Sequence, residues 1–319
     1  MLAAMGACDR SGDAVSQSNP AMPSSDVSDA SGDLVQRLRR DVDHLAITIG
    51  ERHTGRPEAL QQTADYLAKS LAKLGYAVDT QTFNARGVHV HNLAGERRGK
   101  TKPDEIVVIG AHYDSVRNCP AANDNGSGVA GVLEIARVFA KLEPDRTVRF
   151  VLFVNEEPPF FQTELMGSLQ YAKRCKSRGE NVVAMLSLET IGCFSDEPGS
   201  QSYPAAAPPG LPNVGNYIAL VSDVKSAPLL QEVDESFGRH STFPKQAAAA
   251  PESVAGVGFS DQWSFWRQGY LAVMVTDTAP FRYPHYHTPQ DTPDKMDFPR
   301  MAEVVAGLIG VTKDLAASR

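Results

Sequence analysis

Leu34, Leu38, Val42, Leu45 and Ile47 recur at the spacing of one helical face, and residues 58–74 repeat that period until Gly75 stops it. Upstream, residues 9–33 are rich in Ser, Asp, Ala and Gly with hardly an aromatic. Such a stretch buries too little apolar surface to offset the entropy of ordering, so 1–33 reads as a tether ahead of a folded domain over 34–319. Beyond Gly75 the period changes. Residues 76–83 and 89–94 read as edge strands, and 106–111, 148–154, 182–188, 217–222 and 271–275 as buried strands, each a short run dominated by Val, Ile, Leu or Ala. Helical patterns fall at 128–142, 166–176, 228–237, 261–268 and 301–315, with no internal repeat and no second domain boundary. This alternation predicts an α/β fold: a mixed, largely parallel central sheet flanked by helices on both faces.

In sheets of that kind ligands bind beyond the carboxyl ends of the strands. The residues in those places here are His112, Tyr113 and Asp114; then Glu156 and Glu157; then Glu189; then Asp277 and, further on, His285 and His287. Neighbouring side chains on a strand face opposite ways, so two adjacent acids serving one site must sit where the strand has ended, and Pro158-Pro159 marks that ending. The arrangement suits a division of labour in which one carboxylate binds a metal and the other handles a proton. His112 and Asp114 share a side of an extended backbone, where a carboxylate can hold the second nitrogen of a metal-binding imidazole.

Asp124 lies in an Asn- and Gly-rich turn, 123–128, before an apolar helix, and reads either as part of an N-terminal cap or as an acid bridging two cations. Glu189 abuts a buried strand and needs a partner, a salt bridge or a metal. His287 lies in a polar, proline-rich loop, whereas His44, His53, His89, His91 and His240 have no acid cluster beside them. Two imidazoles and three carboxylates, His112, Asp124, Glu157, Glu189 and His287, suit two Zn2+ ions that share one bridging acid.

Composition narrows the class. A net charge of -7 and a pI near 5.6 argue against nucleic acid or an anionic membrane surface as partner. No apolar run approaches the roughly 20 residues that span a bilayer. The four cysteines form no CxxC pair, which excludes a disulfide scaffold and a thiolate zinc site and leaves nitrogen and oxygen ligands. Residues 1–8, MLAAMGAC, resemble the tail of a bacterial lipoprotein signal, so a lipid anchor at Cys8 and a periplasmic or cell-envelope location are expected; a disordered tail on a cytoplasmic protein is the other reading.

The stretches GAHYDS, NDNGSG, NEEPPFF and YHTPQDTPD, in this order, resemble the two-zinc aminopeptidase family, which also includes glutamate carboxypeptidase, glutaminyl cyclase and the transferrin-receptor ectodomain. The likeness spans 52–315 and implies a zinc exopeptidase-like three-layer sandwich acting on peptide substrates. It also implies that His112 and Glu189 hold one zinc, Glu157 and His287 the other, and that Asp124 bridges them. Glu156 would be the general base, with Asp114 the partner of His112. Tyr286, just before the last ligand, matches a tyrosine that polarises the scissile carbonyl in some members, or is a packing residue. Asp261 matches a segment that often reads Ser-Asp-His, with Gln262 here in place of the histidine, and Glu189 stands where many members have Asp.

An aminopeptidase is the leading expectation, with a glutaminyl cyclase-type acyltransferase and a non-catalytic binding domain as alternatives. Phe160, Phe161, Trp263, Trp266 and Phe281 are either pocket or core residues. Segments 196–213 and 246–258 are either a rim over the site or insertions.

Overall fold

The computed structural model describes residues 24–207 and 209–318. Helix α1 (Ser24–Asp43) runs through a π-helical turn (His44–Ile49) and a short loop into α2 (Pro57–Lys73). Strands β1 (Val78–Ala85), β2 (Val88–Arg97) and β3 (Lys102–His112) follow, then α3 (Gly128–Phe139), β4 (Arg146–Phe153), α4 (Gly167–Ser177) and β5 (Asn181–Glu189). The chain closes with β6 (Ile218–Ser222), α5 (Ala227–His240), β7 (Lys245–Ala249), α6 (Gln262–Arg267), β8 (Ala272–Thr276), α7 (Ala279–Arg282) and α8 (Phe298–Ala316). One expectation is corrected here: the first helix begins at Ser24, inside the stretch read as a tether. The Ala-rich segment after Lys245, to which the pattern assigned no strand, opens as one. Cys8 and its lipoprotein-like octapeptide lie outside the described residues.

All eight strands join one sheet in the order β1-β2-β4-β3-β5-β8-β6-β7. The middle, β4-β3-β5-β8, is parallel, as is the β6-β7 edge pair; β1-β2, β2-β4 and β8-β6 are antiparallel. The sheet is thus mixed, with its four central parallel strands buried on both faces at their carboxyl halves, as their unbroken apolar runs require. Alternation on β4 shows how: Val148, Phe150 and Leu152 enter one core, Val151 and Phe153 the other. The first core lies under α1, α2, α3, α5 and α8, and α3 is buried almost all round. The second lies under α4 and α6. On that side the helices stop at β8, so β6 and β7 have helix α5 on one face only. Trimming Phe150 to Ala would cost about 3–5 kcal/mol, as fully buried aromatic positions do.

The architecture sends β3, β4, β5 and β8 in the same direction, so their carboxyl ends gather at one rim. Gly128 brings the start of α3 against that rim: a Cβ there would collide with the Leu188 carbonyl oxygen and the Asn125 side chain.

Candidate active site

His112 is the last residue of β3, Glu189 the last of β5, and Glu156 and Glu157 follow β4 directly. Asp124 lies in an irregular turn ahead of α3, and His287 lies beyond α7 with a left-handed backbone, φ 57°. Each is held by buried polar groups. Asp114 accepts hydrogen bonds from the backbone N–H of Glu156 (3.0 Å) and Glu157 (3.2 Å). Its Oδ1 lies 3.5 Å from Nδ1 of His112, so one carboxylate faces an imidazole and anchors the backbone of both acids after β4.

The turn that carries Asp124 is clamped from two sides. Asp291 accepts from the N–H groups of Asn123 (2.8 Å) and Asp124 (3.0 Å) and from the Tyr283 hydroxyl (2.9 Å). Asp277 accepts from the Asn123 side chain (2.9 Å) and the Cys193 N–H (2.7 Å). Asn125 donates to the Leu188 carbonyl (2.8 Å) and accepts from the N–H of Gly128 (3.0 Å) and Thr190 (3.1 Å), which ties the turn to the end of β5. Glu189 accepts from Ser260 Oγ at 2.6 Å. Behind these, the guanidinium of Arg52, fully buried, donates to the carbonyls of Tyr113 (2.6 Å), Pro120 (2.6 Å) and Ala121 (2.8 Å) and so holds both ends of the loop that joins His112 to Asp124.

The other four side chains converge on Asp124. Its Oδ1 lies 3.3 Å from His112 Nε2, which is also 3.3 Å from Glu189 Oε2. Its Oδ2 lies 3.0 Å from His287 Nε2, which is 3.3 Å from Glu157 Oε2. Both oxygens of Asp124, both nitrogens of His112 and Oε1 of Glu157 are buried without a hydrogen-bond partner. Buried polar atoms left unpaired cost free energy, so they mark a missing partner. A tetrahedral zinc bound at about 2.0–2.1 Å by nitrogen and oxygen would separate its ligand atoms by about 3.3 Å, which is the spacing found in each half. The donor set and spacing therefore fit zinc, with one carboxylate oxygen of Asp124 turned to each half.

Electrostatics point the same way. Burial pushes Glu157 up to about 8, with Asp124 adding to the rise and His287 opposing it. Glu156 stands well above the ordinary carboxylate range, again through burial first; His112 pulls against it while Glu157 and Glu189 reinforce it. Burial works to lower His287, yet Asp124 and Glu157 outweigh it and raise the imidazole to about 10. Such crowding of buried carboxylates is relieved by cations, which invert the local preference for protons.

Two expected residues lie behind or beside this cluster. The Tyr286 ring stacks on His287, centroids 3.8 Å apart, and burial together with Asp124 and Glu157 raises its hydroxyl above the usual phenol range. Asp261 is fully buried just ahead of α6, with no hydrogen-bond partner on either oxygen, and burial raises it to about 7. Gln262 donates to the Val257 carbonyl (3.0 Å). His285 meets the Tyr283 ring edge-on and belongs to none of the ligand groups among the described residues. Phe160 and Trp266 are core residues, whereas Phe281 lines a cavity of about 360 Å³ that opens beside Glu189 and Tyr286. Sequence reasoning missed Arg52, Asn125, Ser260 and Asp291. Only Asp291 carried a signal, its place in the loop of His287.

An eight-stranded mixed sheet with acids and imidazoles gathered at one rim defines a zinc exopeptidase-like α/β protein. The chain belongs to peptidase family M28, whose model matches residues 92–311. It is 33% identical to protein YfbL of Escherichia coli over 283 residues, 86% of each chain. It is 26% identical to leucine aminopeptidase 1 of Trichophyton rubrum, over 80% of this chain and 68% of that one. Among solved structures, a zinc aminopeptidase from Bacillus subtilis superposes with a TM-score of 0.69 at 16% identity, covering 89% of this chain and 95% of that one. Fimbriiglobus ruber glutaminyl cyclase superposes at 0.66 and 22% identity, covering 88% and 94%. Both share the fold.

Proposed function

We propose that the chain is a zinc-dependent aminopeptidase that binds two zinc ions and removes N-terminal residues from peptides. The observation that carries this reading is the placement of the two Asp124 oxygens, one toward His112 and Glu189, the other toward Glu157 and His287. Those residues would hold one ion each side, with Asp124 shared. When bound, zinc supplies a Lewis acid that polarises the scissile carbonyl and offsets the charge that develops on it.

The chain's own residues supply the rest. Glu156, buried and 3.8 Å from His112 Nε2, takes the proton of the attacking water and passes it to the leaving amide nitrogen. Its raised proton affinity suits an acid that must hold a proton between the two steps. Asp114 anchors the backbone from which Glu156 and Glu157 project. Tyr286, kept protonated and stacked on His287, would donate its hydroxyl hydrogen to the carbonyl oxygen. Glu189, at the inner end of the cavity, receives the free α-amino group of the substrate.

Glu156→Gln tests the reading: hydrolysis of aminoacyl chromogenic substrates should fall about 10²–10⁴-fold with zinc content unchanged. Near-full activity in that variant would remove Glu156 from the mechanism. Conversion of an N-terminal glutaminyl peptide to pyroglutamate, in place of hydrolysis, would assign the site to a glutaminyl cyclase-type acyltransferase. Cleavage of N-acetylated peptides as fast as free ones would remove the aminopeptidase assignment.

A further inference from the structure

The cavity beside Glu189 has a floor made by strands, and the register says which side chains form it. Glu189 pairs with Thr276 on β8, Thr276 with Ala219 on β6, and Ala219 with Gln246 on β7. One rung further, Met274 pairs with Val221 and Val221 with Ala248. Residues two apart on a strand share a face. Thr276, Met274, Ala219, Val221, Gln246 and Ala248 therefore form one continuous patch, and all six line the cavity. It is the same sheet face whose core lies under α4 and α6, continued past β8 where helical cover ends.

The roof comes largely from the two segments whose role the sequence left open, Tyr203 and Leu211 from one and Val257 from the other, joined by Phe259 and Phe281. Leu211 and Phe259 keep substantial exposure at the mouth, an apolar rim that continues the cavity walls outward.

Two magnitudes decide what fits. Crossing from β5 to β7 takes three inter-strand steps, about 14 Å in all. The volume, about 360 Å³, falls at the lower end of the roughly 300–1,000 Å³ found for pockets that enclose drug-sized ligands. Apart from Glu189 at its inner end, no charged side chain among the described residues lines it. A charged side chain reaching past Glu189 into the strip would lose its hydration without gaining an ionic partner there.

We propose that this strip of sheet selects substrates whose N-terminal residue carries a large aromatic side chain, and that Ala248 on the edge strand sets the reach of the pocket. The inference deepens the aminopeptidase reading and rests on it for the word substrate. A small side chain at 248 leaves the far end open, and the sheet floor offers a flat apolar surface to an aromatic ring. Enlarging that residue shortens the pocket from the end remote from the catalytic acids.

Ala248→Phe and the milder Ala248→Leu test this through the ratio of kcat/KM for tryptophanyl over alanyl amides, read on one preparation so that folding cancels. In the unaltered protein the ratio should be about 100 or more, since each buried methylene is worth about tenfold or more in discrimination. In Ala248→Phe it should fall about tenfold or more, with Ala248→Leu between. Calorimetric binding of free L-tryptophan and L-alanine to the zinc-loaded Glu156→Gln protein gives a second readout that needs no turnover. An enzyme that cleaves alanyl amides yet neither prefers tryptophanyl amides nor responds at position 248 overturns this inference and leaves the aminopeptidase reading standing. Tight, Ala248-dependent binding of tryptophan without any N-terminal cleavage supports the pocket and overturns the aminopeptidase reading.

Discussion

The two halves of the proposed zinc site are built from different material. His112 and Glu189 end adjacent parallel strands, β3 and β5, and their side chains are 0% and 11% exposed. Glu157 follows β4 and is also buried, but His287 comes from a loop and its side chain is 32% exposed. The inner half is held by sheet hydrogen bonds within the core. The outer half depends on a loop tied down by Asp291, whose partners are two N–H groups of the Asp124 turn and the Tyr283 hydroxyl. A side chain on a strand end needs no further ordering to meet an ion, whereas a loop ligand must be kept in place at an entropic cost. The two ions should therefore differ in how readily they leave.

The largest effect should come from Asp124→Asn, which removes the negative charge common to both halves; zinc retention after dialysis should drop in both, and peptide hydrolysis should be lost. Retention of full zinc content would show that the halves do not share a ligand. Next come His112→Ala and His287→Ala. The first should empty the inner half and leave a buried cluster of acids without an imidazole, lowering stability in urea; the second should lose one ion and leave the fold intact. Equal losses from both, or chelator titrations of the unaltered protein that remove both ions in one step, would erase the contrast.

Asp291→Asn should weaken the outer ion about 10–100-fold, as loss of an outer-shell partner does, with a smaller effect on the inner one. The smallest effect is a pH dependence of the metal-free protein. Burial raises the Asp261 carboxyl from 3.8 to about 7, so the folded chain binds that proton more tightly than the unfolded chain. Its contribution is fully present below about pH 4 and is lost as pH rises through about 7. Asp261→Asn should lack that part of the decline, read as urea midpoints from pH 4 to 8; parallel curves for the two proteins would place the pH dependence elsewhere.

The ligand-bearing strand ends were legible because an apolar run halting at an acid or imidazole is a local pattern. His112, Glu156, Glu157 and Glu189 all announce themselves in that way. Arg52 did not: a lone arginine in a loop says nothing until three carbonyls from another loop close around it. Asn125 and Ser260 were silent for the same reason, since their partners on β5 lie 63 to 71 residues away. Strand β7 escaped because alanine has little strand preference of its own; pairing with β6 makes that segment a strand. Trp266 and Phe160, read as pocket or core, went to the core, and only their neighbours in space could decide it.

By itself the sequence determined the α/β alternation and the chemical kinds of side chain at the strand ends, because each depends on residues close together in the chain. The tertiary structure decided that the two oxygens of Asp124 face different imidazoles, and that the sheet runs past its helical cover to floor a long apolar cavity. Both depend on distances between segments far apart in sequence, which strand order and loop packing set and local periodicity does not encode.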